Sequence, residues 1–226
     1  MVEIQPFVFD FKKFRNILED EARAIFEVVS AEWEKDNIYA CGFAAHSEEF
    51  ESLYPLVFTH KHLDKRIVSK RKRNYLAFKG MSLTNLRWYY RYRYSINYEV
   101  NDVLRTAFAQ SNHMIAQGGA SLLGMWIDAA GKLTDKHADD LMKPHLTHFR
   151  ATCINVLRQL NREGLFGRGE IRQNRVLMID YTGYTDDDPA GRIIGALNPP
   201  EVVNRYRIEM AKASSFDMLI RRNQKT

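Results

Sequence analysis

Apolar residues recur at three- and four-residue steps near the start of the chain, as Phe11, Phe14, Leu18, Ala22, Ile25, Val29 and Trp33. That spacing places them on one stripe of an amphipathic helix, which Asp10 can cap. The pattern then changes. Residues 38–45 are short, aromatic and apolar between Asp36-Asn37 and His46-Ser47, which predicts a buried strand, and residues 56–59 predict a second. Over residues 86–98 the chain alternates, with Leu86, Trp88, Tyr90, Tyr92, Tyr94, Ile96 and Tyr98 on one parity. Arg87, Arg91, Arg93, Ser95 and Asn97 occupy the other, as in a half-buried strand. A helix competes for its last third. Val100, Val103, Leu104, Ala107, Phe108 and Ile115 continue at helical spacing up to Gly118-Gly119, which can end it.

Pro144 suits a first helical turn, and Leu146, Phe149, Cys153, Val156, Leu157 and Leu160 follow on one face until Gly164. Residues 176–181 predict a strand. Asp188-Pro189 and Asn198-Pro199-Pro200 each pair a cap with a first-turn proline, predicting helices over 189–197 and 200 to about 213. Strands separated by helices without regular βαβ repetition indicate an α+β fold, a central and mainly antiparallel sheet flanked by amphipathic helices.

The 226 residues, 45% of them hydrophobic, suffice for one sizeable core, and no linker or repeat divides them. A single domain over 1–226 is expected, with an exposed basic insertion at about 61–85. Met1-Val2-Glu3-Ile4-Gln5-Pro6 lacks the basic start of a secretory signal, and the apolar runs are too short to span a bilayer. Cys41 and Cys153 stand far apart and suggest buried apolar residues rather than a disulfide. Charge is unevenly spread. Eleven of the 33 Lys and Arg fall between Lys61 and Arg93, against one acid, Asp64, so in a chain of net charge +5 the remaining residues taken together are net acidic.

The alternating Arg and Tyr residues admit a nucleic-acid groove, with rings stacking on bases and guanidinium groups on phosphates. Burial of the aromatic parity, with the arginines solvated, explains the same alternation without a ligand. Lys70-Arg71-Lys72-Arg73 reads as a solvated loop or an electrostatic docking surface for an acidic partner. His60 with His62 and His145 with His148 are spaced to share a face of a strand and a helix, yet no carboxylate accompanies them at metal-ligand spacing. Asp186-Asp187-Asp188 fits a turn and helix cap better than a cation site. Nucleophile elbows, phosphate loops and dinucleotide fingerprints are absent, and Gly164-Leu165-Phe166-Gly167-Arg168-Gly169 follows a helix, so its glycines suggest a C-cap and tight turn. No catalytic set, metal or cofactor is expected. A hydrolase using His145, His148 and Cys153 stands behind the binding readings.

Several short motifs occur in a suggestive order: Ile38-Tyr39-Ala40-Cys41-Gly42-Phe43, Leu53-Tyr54-Pro55 with Thr59, Leu86-Arg87-Trp88, Glu163-Gly164-Leu165-Phe166-Gly167 and Ala196-Leu197-Asn198-Pro199. Together the chain resembles an uncharacterised bacterial domain family, domain of unknown function 4303, over almost its whole length. The basic insertion between Thr59 and Leu86 and the aromatic run after Trp88 depart from that pattern. The family resembles immunity proteins of bacterial toxin systems. The resemblance therefore implies a cytoplasmic protein that binds a cognate secreted toxin and blocks it without covalent chemistry. Arg91 and Arg93, then Arg87 with Tyr89, and Lys70, Arg71, Lys72 and Arg73 are the expected partner-binding residues, facing acidic groups on the toxin. A nucleic-acid-binding module using residues 61–98 is the alternative.

Overall fold

In the computed structural model the described residues are 8–46, 52–61, 63, 106–130, 135–182 and 189–223. The first helix, α1 (Phe11–Trp33), buries Phe14, Leu18, Ala22, Ile25, Phe26 and Val29, the stripe its spacing predicts. The Asp10 carboxylate accepts a 2.9 Å hydrogen bond from the Lys13 amide, satisfying an orphan donor of the first turn. A single 3-10 turn over Glu34–Asp36 and the left-handed Asn37, at φ 55°, redirect the chain into β1 (Ile38–His46).

Strands β2 (Ser52–Thr59) and β3 (Val176–Thr182) flank β1 in a sheet of order β2-β1-β3. The β1/β2 pair is antiparallel and the β1/β3 pair parallel, so the fold is α+β with a mixed sheet. A register shift between Ile38 and Ala40 inserts Tyr39 as an extra residue and puts it with Ala40 in the same cluster. From there the alternation is regular. Cys41, Phe43, Ala45, Leu53, Leu177 and Ile179 join the core built with α1, α2 (Ala109–Ala130) and α3 (Asp135–Glu163). Ala40, Ala44, Leu56, Val176 and Met178 join a second cluster with Ile194 of α5 (Pro189–Leu197) and Val202, Val203 and Tyr206 of α6 (Pro200–Asn223). Burial on both faces explains why β1 and β3 read as continuous apolar runs. On the first face the Phe43 ring meets Phe108 edge-on at 5.4 Å and tilts against Phe26 at 6.3 Å.

Four sequence expectations change. The helix expected to start at Pro144 begins at Asp135 and carries the proline inside it. An interior proline removes one i to i−4 bond, a local loss that a 29-residue helix packed against α1 absorbs. Helix α2 runs from Ala109 through Gly118-Gly119 to Ala130, and the residues 98–105 over which the helix is expected to begin lie outside the described residues. Gly118 is buried on the same face as Ser111 and Ile115, a packing position instead of a terminus. Strand β2 begins at Ser52 and includes Pro55, which an edge strand accepts where its missing N–H points away from the sheet. His60 falls just after β2 in a helical turn and not on the strand expected for it, and His62 lies outside the described residues. The glycine segment behaves as expected, with Gly164, Gly167 and Gly169 at φ 91°, 88° and 53°, but it also opens a short unforeseen helix, α4 (Gly169–Asn174).

Candidate functional site

Arg87, Tyr89, Arg91, Arg93 and Lys70, Arg71, Lys72 and Arg73 lie outside the described residues, as do the alternating strand over 86–98 and Asp186-Asp187-Asp188. The described residues on either side of 64–105 are packed into the fold. Lys61 Nζ donates to both Asp36 carboxylate oxygens, at 2.9 and 3.0 Å, and the His60 amide donates to the Asn37 carbonyl at 3.1 Å. Tyr39 stacks on Phe58 with centroids 5.9 Å apart and lies 5.0 Å from the His60 ring. Leu63 is buried in the cluster with α5 and α6.

At the other end Phe108 enters the opposite cluster, and Glu21 of α1 caps α2. Its carboxylate accepts from the Gln110 amide at 2.8 Å, the Ser111 amide at 3.1 Å and the Ser111 hydroxyl at 2.6 Å. An acid from a neighbouring helix thus satisfies the positive end of the α2 dipole. The described residues before and after the basic segment thus belong to clusters on opposite faces of the sheet.

The residues weighed for hydrolysis are not brought together. Cys153 is completely buried, and burial pushes its thiol far above the usual range, so it stays protonated. His148 is exposed with its ring 5.0 Å from Phe11, and five helical positions separate it from Cys153, roughly 140° around the axis. Burial lowers the His145 pKa, and the charge of His148 lowers it further. Among the described residues no three His, Cys, Asp or Glu are placed to hold a metal ion. No described helix is long and apolar enough to cross a membrane.

Two polar networks do organise the described residues. Arg172 of α4 is buried, donating from Nε to Asn161 Oδ1 at 2.5 Å, from one terminal nitrogen to the Arg175 carbonyl at 2.9 Å, and from the other to the Leu197 carbonyl at 3.0 Å and Asn198 Oδ1 at 3.2 Å. Burial lowers the Arg172 pKa, the Cys41 sulfur pulls it the other way, and the nearby Arg175 charge adds to the lowering. Asn198, expected to cap α6, instead turns its side chain to the Leu177 backbone and the Ile194 carbonyl. Sequence reasoning marked Asn198 through its prolines but had no signal for Arg172, because an arginine among the polar residues after Gly169 reads as solvated.

The second network joins α1 to the end of α3. Arg23 pairs in bidentate fashion with Glu163 and contacts Glu19 at 3.1 Å, while Gln159 Nε2 donates to Glu163 at 2.8 Å. The hydrogen bond from Arg23 lowers the Glu163 pKa, with Gln159 assisting. A carboxylate with a lowered folded-state pKa contributes stability that is complete above its unfolded value of about 4.3 and is lost as pH falls through the folded value. Glu163→Gln should therefore lower the melting temperature by a constant amount from neutral pH down to about 5, with the gap closing below about 4.3. A gap that persists unchanged into acid would show that charge pairing is not the cause.

No protein-family model, curated protein or solved structure matches the chain. The described motifs behind the family resemblance have structural work. Gly42 permits the β1/β3 approach, Pro55 sits on the outer strand, Gly164 ends α3, and Asn198 binds the β3 backbone.

Proposed function

We propose that the chain is an immunity-type protein that binds and neutralises a cognate bacterial secreted toxin in the cytoplasm by non-covalent occlusion. Its contacts are Arg87, Tyr89, Arg91, Arg93 and Lys70, Arg71, Lys72 and Arg73. The observation that carries this reading is the concentration of eleven cationic side chains with one acid between Lys61 and Arg93, in a chain that is otherwise net acidic. Such a segment, with Leu63 and Phe108 on either side packed in opposite clusters of the core, offers an acidic partner strong electrostatic steering and arginine and tyrosine anchors. The family resemblance supplies the toxin as the class of partner. The described titratable candidates support binding over catalysis, since Cys153 is sealed in the core and Glu21 and Glu163 are committed to helix contacts.

The test is co-purification with the product of the adjacent reading frame. A stoichiometric complex is expected, and Arg91→Glu combined with Arg93→Glu should weaken it by roughly a hundredfold or more while circular dichroism stays unchanged. Binding that survives the double reversal in a folded protein refutes these contacts. The interleaving of Arg87, Arg91 and Arg93 with aromatic residues favours nucleic acid as the second reading. It requires retention on single-stranded DNA or RNA that falls steeply with salt.

A further inference from the structure

We propose that Asn112 and Asn198 are clamps that close the two borders of the sheet against strand addition, by this chain or by any other. Among the described residues the strand order is β2-β1-β3, and its two outer strands each present backbone groups that point away from β1. At the β2 border the Leu53 amide donates to Asn112 Oδ1 at 2.7 Å, and Asn112 Nδ2 donates back to the Leu53 carbonyl at 2.9 Å. At the β3 border the Leu177 amide donates to Asn198 Oδ1 at 2.8 Å, and Asn198 Nδ2 donates back to the Leu177 carbonyl at 2.7 Å.

A carboxamide offers an acceptor and a donor side by side, the pair that an adjoining strand would offer to one residue. Each asparagine therefore occupies one rung of a ladder with a side chain that cannot be extended into a further strand. Both are held beside the borders by helices that pack on β2 and β3. Asn112 is in the first turn of α2, and Asn198 follows α5, whose Ile193 and Leu197 join one cluster while Ile194 joins the other. Pro55, the next residue along β2 with the same outward direction as Leu53, has no N–H to offer. The two borders are closed by the same chemistry from unrelated parts of the chain. Main-chain pairing at Leu53 and Leu177 is thereby taken. This inference does not depend on the proposed function.

Amide hydrogen exchange and sedimentation velocity on the full chain test it. In the parent, the Leu53 and Leu177 amides should exchange as slowly as the ladder amides of Leu56 and Met178. Asn112→Ala and Asn198→Ala should each speed exchange at the matching leucine by roughly tenfold or more, the loss of one or two buried hydrogen bonds. The double variant should associate progressively with concentration where the parent's sedimentation is constant. Parent leucine amides that exchange like those of open loops overturn the clamps, and lost protection without association overturns their guarding role. If the double variant does not fold, Asn112→Asp decides. Its ionised carboxylate faces the Leu53 carbonyl without a donor and is repelled from the strand until it is protonated below about pH 4, so Leu53 protection should be lost at neutral pH and return in acid. Protection that ignores pH refutes the Asn112 clamp.

Discussion

Gly42→Ala is expected to cost about 4 kcal/mol or more and to leave little folded protein at ambient temperature. Gly42 lies in the central strand at φ 145°, a conformation that L side chains rarely adopt. A Cβ there would sit 1.9 Å from the Met178 carbonyl oxygen and about 3 Å from two further backbone atoms of the same residue. Neither neighbour can yield cheaply. The β1 strand is held by β2 on one side and β3 on the other, so moving Met178 breaks the parallel ladder that joins the C-terminal half of the chain to the sheet. Gly195 provides the control, since a Cβ built on it meets nothing within 4 Å and its φ is not in the left-handed region. In α5, Gly195→Ala should be neutral or stabilising by about 0.5 to 1 kcal/mol. Urea unfolding of both variants separates the two expectations, and a Gly42→Ala midpoint within experimental scatter of the parent would refute the close approach.

Arg172→Met should cost about 3 to 5 kcal/mol, the second largest effect expected in the described fold. The substitution retains much of the volume and removes every donor. Asn161 Oδ1, Asn198 Oδ1 and the carbonyls of Arg175 and Leu197 would lose the bonds that the guanidinium supplies. Those groups belong to α3, the turn into β3 and the end of α5, so one planar cation fastens three separate parts of the chain. Lysine should recover only a small part, because a single ammonium cannot reproduce a fork that reaches four acceptors in fixed directions. Because Asn198 Oδ1 also receives the Leu177 amide, exchange at Leu177 should accelerate in both variants. A loss below about 1 kcal/mol in Arg172→Met would mean that the network is replaceable by packing alone.

Local patterning was a sound guide where one period ran without interruption. The α1 stripe, the apolar run of β1 and the paired helices after Asp188 and Asn198 each announce themselves through spacing, composition or proline. It misled where a residue of strong local preference met a stronger tertiary demand. Gly118 and Pro144 look like helix ends, yet neighbouring helices hold the chain helical through both. Ser52 to Pro55 looks too irregular for a strand until β1 is present to pair with it. Asn112 and Asn198 are polar residues whose partners, Leu53 and Leu177, lie 59 and 21 positions away, and no local window contains such a pair.

The candidate docking residues divide in the same way. Their charge is a sum over types and positions, so the excess of Lys and Arg between Lys61 and Arg93 is legible from the chain alone. That Lys61 is tied to Asp36, and that Leu63 and Phe108 pack in opposite clusters, follows only from the folded contacts.

Sequence by itself determined the α+β class, the principal apolar stripes, the sealed cysteines and the electrostatic asymmetry, because each follows from composition or a short period along the backbone. Tertiary structure alone decided the parallel placement of β3, the close approach at Gly42, the buried cation at Arg172 and the two asparagine clamps. Each of these is an agreement between groups distant along the chain, and the free energy that selects it exists only once both have been brought together.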